Sequence, residues 1–182
     1  AQETHIDASR MHVTRLANVA VDRTPAARAE MAEEVVRYAQ TDLLCHLAEG
    51  PEPLRLRQGE HWTPIRDWAG ETLGVMLIPV EGIMAGLQPG QSLEAARDYA
   101  LGLDDFRLTG LSFGLGLFGS ALLSMALEQG RLDVQAAFVA SRVDEDFQVE
   151  QWGADEEASG IATARAFEAA ALGAYFDALS AE

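Results

Sequence analysis

The chain has 182 residues, 48% of them hydrophobic, and a formal net charge of −16. This length is sufficient for a substantial buried core, but the acidity excludes a general affinity for nucleic acid or anionic membrane surfaces. The single cysteine, Cys45, excludes an internal disulfide and is compatible with a reducing compartment.

The first forty residues predict two helices. Residues 1–7 have no element of their own, and a helix is expected from Ala8 to Asp22 because its apolar side chains can share one face. Thr24-Pro25 favours a second helix start, since threonine can cap free N–H groups and proline fits the first helical turn. That helix should end near Thr41-Asp42.

The middle of the chain is predicted to contain two further helices and one short extended segment. A helix is expected over 61–69, with Thr63-Pro64 in or near its first turn. The apolar run 75–79 fits either a short strand or an extended linker, because no second convincing strand accompanies it. Ser92 then favours a helix over 93–103 as its N-cap.

A long uncharged segment dominates the sequence. No side chain between Arg107 and Glu128 carries a charge, so lipid or the rest of the protein must shelter this segment from water. A membrane span is the alternative, but serine and threonine dilute the apolar run and no basic cluster or aromatic belt flanks it. The sequence therefore predicts a mainly α, multi-helix fold around a buried central helix over about 106–128.

The C-terminal third carries much of the acidity. From Asp133 to Glu182 there are eleven acidic residues and two arginines, which predicts a solvated face or a site for a basic partner. A helix is expected from Leu132 to about Glu145. The last helix should run from Asp155 to Leu179, and acidic side chains in its first turn suit the helix dipole.

One glycine pattern in the central segment points to an enzyme. Gly114, Gly116 and Gly119 match the G-x-G-x-x-G dinucleotide fingerprint. That motif needs a preceding buried strand, and an acidic residue about twenty positions later to hold the ribose. Residues 106–109 make a poor strand, and the segment 134–138 has no acid at its end. A small NAD(P)-binding enzyme is therefore kept as the alternative to a non-enzymatic role.

Other catalytic and metal patterns are weaker. Ser112 lies in a G-x-S-x-G sequence, but the histidine base should follow the nucleophile, and all four histidines precede it. His5 and His12 could share a helix face, yet two histidines make a poor metal site. We expect no catalytic residue, no cofactor and no metal.

Four stretches together carry a resemblance to a known family. They are MHVTRLAN (11–18), YAQTDLLC (38–45), WTPIRDW (62–68) and EDFQVEQWGADEE (145–157). In their order and spacing the chain resembles the assembly chaperones that bind the alpha subunit of the F-type ATP synthase, in mitochondria and alphaproteobacteria.

The resemblance implies a helical chaperone domain over 1–182 without catalysis. It also implies a small N-terminal β domain that this sequence does not contain, so residues 1–7 are expected to be its remnant or linker. The implied role is to shield the alpha subunit until the beta subunit displaces the chaperone. It implies a bacterial cytoplasmic protein here, and a mitochondrial matrix protein in eukaryotic relatives. We expect a monomer, without nucleic acid and without stable membrane insertion.

The same resemblance implies the client-binding residues. The family's W-G-x-D-x-E motif falls on Trp152, Asp155 and Glu157. Carboxylates can make charge-assisted hydrogen bonds to basic or N–H groups of a client. We therefore predict that these three residues bind the alpha subunit, with Glu157 as the principal charge.

Overall fold

Helices account for most of the fold. The structure, a computed structural model, describes residues 11–82, 86–153 and 155–181, with the side chain of Glu157 excepted. Within these residues the helices are α1 (His12–Asp22), α2 (Thr24–Gln40), α3 (Glu52–Trp68), α4 (Gly90–Gly102), α5 (Asp105–Phe118), α6 (Ala121–Glu128), α7 (Val134–Ser141), α8 (Val143–Trp152) and α9 (Glu156–Ser180). The predicted mainly α fold is confirmed, whereas the predictions for residues 1–7 and for a helix start at Ala8 lie outside the described residues.

The strand predicted near 75–79 lies slightly further along the chain. Residues 75–79 form neither helix nor strand, and β2 (Val80–Glu81) follows them directly. It pairs in parallel with β1 (His46–Leu47), so that His46 lies opposite Val80 and Leu47 opposite Glu81. The second strand escaped prediction because two residues are too short to show an alternating pattern.

The central uncharged segment is buried as predicted, but it is not one helix. Gly119 has a left-handed φ of 67° and ends α5, and the Ser120 hydroxyl accepts a hydrogen bond from Leu123 N to cap α6. Both helices pack into the core, where Leu111 and Leu122 have no exposed surface. The continuous apolar pattern concealed a break that glycine and serine make locally favourable. In the described part of the chain, no helix is both long and apolar enough to cross a membrane.

Two other predicted helices have different bounds in the structure. The helix predicted over 61–69 begins at Glu52, with Pro53 in its first turn, and Pro64 lies inside it. The helix predicted from Leu132 to Glu145 is two helices, α7 and α8, which meet at Arg142. Neither α3 nor the α7–α8 pair could be bounded by hydrophobic periodicity alone, since α3 is polar overall and α7 and α8 are nearly continuous.

Two predicted caps have other roles. Thr24 is the first residue of α2 and makes no capping hydrogen bond; its hydroxyl lies 2.6 Å from that of Thr109 in α5. Ser92 lies inside α4, which begins at Gly90, and its hydroxyl donates to Met76 O at 2.7 Å. Both hydroxyls therefore join separate parts of the chain, and that of Thr24 also donates to Val19 O, in the last turn of α1, at 3.3 Å.

Close approach of α5 to α9 depends on glycine. A Cβ added at Gly110 would lie 2.6 Å from Cζ of Phe176, whereas one at Gly116 would have no neighbour nearer than 3.8 Å. Both substitutions improve helix propensity, but only the first forces buried rings to move. We expect Gly116→Ala to raise the free energy of unfolding by about 0.5–1 kcal/mol and Gly110→Ala to lower it by about 1–2 kcal/mol. Urea denaturation of the pair measures this, and equal stabilisation by both would contradict the close α5–α9 packing.

Candidate functional site

A groove opens between α8 and the first half of α9. The chain leaves α8 at Gly153, whose φ of 88° allows the reversal, and re-enters a helix at Glu156. The groove has a volume of about 680 Å³. Its walls combine apolar and charged side chains, notably Arg142, Glu145, Asp146, Val149, Trp152, Asp155, Ile161 and Arg165.

Large apolar side chains are exposed in this groove. Trp152 is 79% exposed and Ile161 54% exposed, and both line it. Val149, one turn before Trp152 on α8, adds a third partly exposed apolar side chain. Burying a tryptophan gains more than burying any other side chain because of its area, and clustered exposed apolar surface marks interaction sites. The groove is therefore a candidate interaction site.

Helix α9 has two halves with different surroundings. Ala169, Leu172 and Phe176 in the second half are buried in the core, and the Tyr175 hydroxyl donates to Phe106 O at 2.9 Å. From Asp155 to Phe167, every described side chain is exposed except the half-buried Ala162. The second half therefore anchors the helix, and the first half stands out as one wall of the groove.

Helix α8 is held to α3 by a paired set of polar contacts. The Arg57 guanidinium donates to both carboxylate oxygens of Glu150, at 2.9 and 2.7 Å, and lies 5.5 Å from the centre of the Phe147 ring. Gln58 donates to Asp144 at 2.7 Å. Hydrogen bonding to Arg57 holds the pKa of Glu150 below its ordinary value, whereas burial raises the pKa of Asp144. These contacts fix the second wall of the groove.

The electrostatic character of the groove region is acidic. Residues 143–180, which comprise α8, the turn and α9, contain nine acidic residues and one arginine, Arg165. Arg142, at the base of the groove, donates to the Asp146 carboxylate at 3.0 Å. A basic surface would therefore be attracted to this end of the molecule.

Comparison with known proteins decides the family. The model of the family described as ATP12 chaperone protein matches residues 1–70. The structure of Atp12 from Paracoccus denitrificans superposes with a TM-score of 0.92 at 35% identity, covering 97% of this chain and 76% of that one.

The chain belongs to the ATP12 chaperone family.

Other family members support the same assignment. An aspartate-to-lysine mutant of P. denitrificans Atp12p matches with a TM-score of 0.92 at 34% identity, with the same coverage of both chains. The mitochondrial protein atp12 of Schizosaccharomyces pombe is 24% identical over an alignment of 169 positions, and the match covers 87% of this chain and 57% of that protein. The chain thus spans little more than half of the yeast relative. The groove lies beyond residues 1–70, the part that the family model matches. The ATP12 structures, in contrast, cover 97% of this chain.

Two of the three predicted client-binding residues lie together in this ATP12 chain. Trp152 and Asp155 both line the groove, from opposite sides of the turn. Glu157 lies in the first turn of α9, but its side chain is outside the described part of the structure. The roles of all three remain predictions.

Sequence reasoning missed the apolar partners of Trp152. Val149 precedes it by one helical turn on α8, and Ile161 faces the same groove from α9. The i, i+3 spacing of Val149 and Trp152 was visible in the sequence. Ile161 gave no signal, because its pairing depends on how the two helices turn back on each other.

The patterns that pointed to enzymes have structural roles in the ATP12 fold. Gly114 lies inside α5, against Ser124 and Leu172, so no strand-to-helix turn precedes the glycine fingerprint. Ser112 is also inside α5, and its hydroxyl donates to Glu34 at 3.1 Å. Burial raises the pKa of the Cys45 thiol to about 12, which keeps it unreactive. Nothing in these sites favours the NAD(P)-binding alternative. Among the described residues, no group of three histidine, cysteine or acidic side chains could hold a metal.

Proposed function

We propose that this chain is an assembly chaperone of the F-type ATP synthase, which binds the unassembled alpha subunit and shields its beta-contacting surface until beta displaces it. Membership of the ATP12 chaperone family supports the general role. The observation that carries the proposal is the groove beside Trp152, where a side chain that gains most from burial is 79% exposed.

The proposed mechanism is reversible masking by binding energy alone. An alpha subunit without its beta neighbours exposes an apolar interface that is prone to aggregate, and covering that surface prevents aggregation. The true partner then competes for the same surface. The mechanism requires neither catalysis nor a cofactor, and the chain, which has no lysine, has no phosphate-binding loop of the G-x-x-x-x-G-K-[ST] type.

Each predicted residue has a defined part in this mechanism. Trp152 is the apolar anchor, which loses water on binding together with Val149 and Ile161. Asp155, on the turn, and Glu157, in the first turn of α9, make charge-assisted hydrogen bonds to basic or N–H groups of the alpha subunit. The chain acts as a monomer in the bacterial cytoplasm, without nucleic acid and without membrane insertion.

Two substitutions test the groove directly. Trp152→Ala removes the anchor and is expected to cost about 2 kcal/mol of binding free energy, and Glu157→Lys places a repelling charge at the same end and is expected to cost at least about tenfold in affinity. The measurement is capture of separately expressed alpha subunit by each immobilised variant. Glu71→Lys makes the same change of net charge on an exposed position outside the groove, and serves as the control.

The expected pattern is loss of capture by the two groove variants and normal capture by Glu71→Lys. Unchanged circular dichroism and melting temperature would show that all three variants fold, as the exposure of Trp152 and Glu71 predicts for their variants. Normal capture by both groove variants would contradict this site. Equal loss in the two lysine variants with normal capture by Trp152→Ala would mean that net charge, and not the groove, determines binding.

A further inference from the structure

We infer that the groove between α8 and α9 receives its client as an amphipathic α-helix, with an apolar stripe against Trp152 and arginine or lysine side chains along its edges. The inference names the class of segment that the client presents, and so rests on the proposed function. It follows from three features of the groove: the backbone of its walls, the spacing of its apolar side chains and its charge.

The walls of the groove favour a helical occupant. Both walls are α-helices, whose internal backbone N–H and C=O groups are already hydrogen-bonded along the helix. An extended segment would find no strand edge there and would leave its own backbone groups unpaired against apolar side chains, at a cost for each group. A helix satisfies its backbone internally and presents only side chains.

The apolar side chains of the groove have helical spacing on both walls. Val149 and Trp152 are separated by three positions on α8, and Ala158 and Ile161 by three positions on α9. Such pairs form ridges on one face of each helix. A third helix that packs its own i, i+3, i+4 ridge between them completes a three-helix arrangement, which is the usual way that helix-binding grooves recognise peptides.

The length of the exposed wall sets the size of the occupant. The eleven positions from Asp155 to Arg165, the last residue that lines the groove, are exposed at every described side chain but one, and at 1.5 Å per helical residue they extend roughly 16 Å. A client helix of three to four turns matches this length. Shorter helices would leave part of the wall uncovered.

Charge specifies the edges of that helix. Nine acidic residues and one arginine lie between residues 143 and 180. The groove lining is itself acidic by one charge, because it contains Glu145, Asp146 and Asp155 against Arg142 and Arg165. Arg142 is paired with Asp146. A helix with basic side chains on both flanks of its apolar stripe therefore complements the groove, and an acidic helix is repelled.

Three synthetic peptides separate helical recognition from simple charge attraction. The first is an 18-residue leucine, alanine and arginine peptide with leucine at i, i+3, i+4 and i+7. The second has the same composition in an alternating order, which suits an extended strand, and the third is the first with glutamate in place of arginine. Binding to the whole chain is measured by calorimetry at 150 mM salt, and helicity by circular dichroism. We expect the first peptide to bind at least about tenfold tighter than the second and to gain helicity, and the third not to bind.

Two exposed aromatic residues on the same pair of helices provide matched variants. Trp152→Ala should weaken binding of the first peptide by about tenfold or more. Phe167 is 68% exposed but outside the groove, so Phe167→Ala should leave that binding unchanged. Equal binding of the first two peptides, or no effect of Trp152→Ala, would overturn the inference.

Capture of the alpha subunit is measured in parallel. If capture of the alpha subunit depends on Trp152 but the first two peptides bind equally, the helix inference is overturned and the proposed function stands. If the first peptide binds more tightly than the second but the alpha subunit is not captured, the proposed function is overturned and the helix inference stands.

Discussion

Replacing Trp62 by alanine is expected to lower the free energy of unfolding by about 3–5 kcal/mol. Trp62 has no exposed surface, and its indole N–H donates to Ala140 O at 2.8 Å, so it joins α3 to α7. The alanine variant leaves a large cavity and a buried carbonyl without its donor, and each of these destabilises the fold. Urea denaturation followed by far-ultraviolet circular dichroism measures the loss.

Two further variants separate these contributions. Trp62→Phe keeps most of the packing but removes the indole N–H. It should lower the free energy of unfolding by about 1–3 kcal/mol, the usual penalty for an unpaired buried group. Trp68→Ala, at a half-buried position six residues later, should cost less than Trp62→Ala. A loss at Trp62 no larger than that at Trp68 would contradict the position of α3 against α7.

Replacing Asp42 by alanine is the second substitution with a large expected effect. It should lower the free energy of unfolding by about 2–4 kcal/mol at neutral pH. The Asp42 carboxylate is fully buried and accepts hydrogen bonds from Ser120 Oγ at 2.7 Å, Leu44 N at 3.0 Å and Leu122 N at 3.1 Å. It therefore joins the end of α2 to the break between α5 and α6. Alanine leaves these donors unpaired in the core, which urea denaturation at pH 7 will detect.

Besides its hydrogen bonds, which persist at neutral pH, Asp42 should make a proton-linked contribution to stability that depends on pH. Burial raises the pKa of Asp42 from 3.8 to about 6, against the opposing effect of its hydrogen-bond donors. Because the folded state holds the proton more tightly than the unfolded chain, this contribution is complete below about pH 3.8 and is lost as the pH rises through about 6. Asp42→Asn cannot titrate, so the stability of the wild type relative to this variant should fall between pH 4 and pH 7. A constant difference over that range would contradict the raised pKa.

These residues show what the sequence could and could not predict about the fold. The burial of the uncharged segment was predictable, because water exposure of so many apolar side chains is costly whatever the fold. Its break was not predicted, since the signals at Gly119 and Ser120 are local and the apolar pattern continues across them. The bond between Asp42 and Ser120 joins residues 78 positions apart, and no local rule specifies such a pair.

The candidate site was predictable in part for a different reason. Trp152 and Asp155 were identified by a motif, and the structure places both in one groove. Val149 and Ile161 have no motif of their own, because their importance comes from the angle at which α9 leaves the turn at Gly153. Pattern recognition thus found the polar and aromatic residues, and the structure was needed to find the apolar surface around them.

Polar contacts are unevenly distributed over the described part of the structure. Asp42 and Trp62 fix the core from within, and Arg57 ties α8 to α3 from outside. The first half of α9 has few such constraints, since nearly all its described side chains face solvent. A binding surface on a fixed scaffold loses little order when a partner covers it, which favours affinity.

The most direct test of the proposed function is size-exclusion chromatography of this chain with separately expressed ATP synthase alpha subunit, followed by addition of beta subunit. We expect a co-eluting complex of chaperone and alpha that Trp152→Ala weakens, and release of the chaperone when beta is added. A wild-type chain that never co-elutes with alpha, or a complex that beta leaves intact, would contradict it.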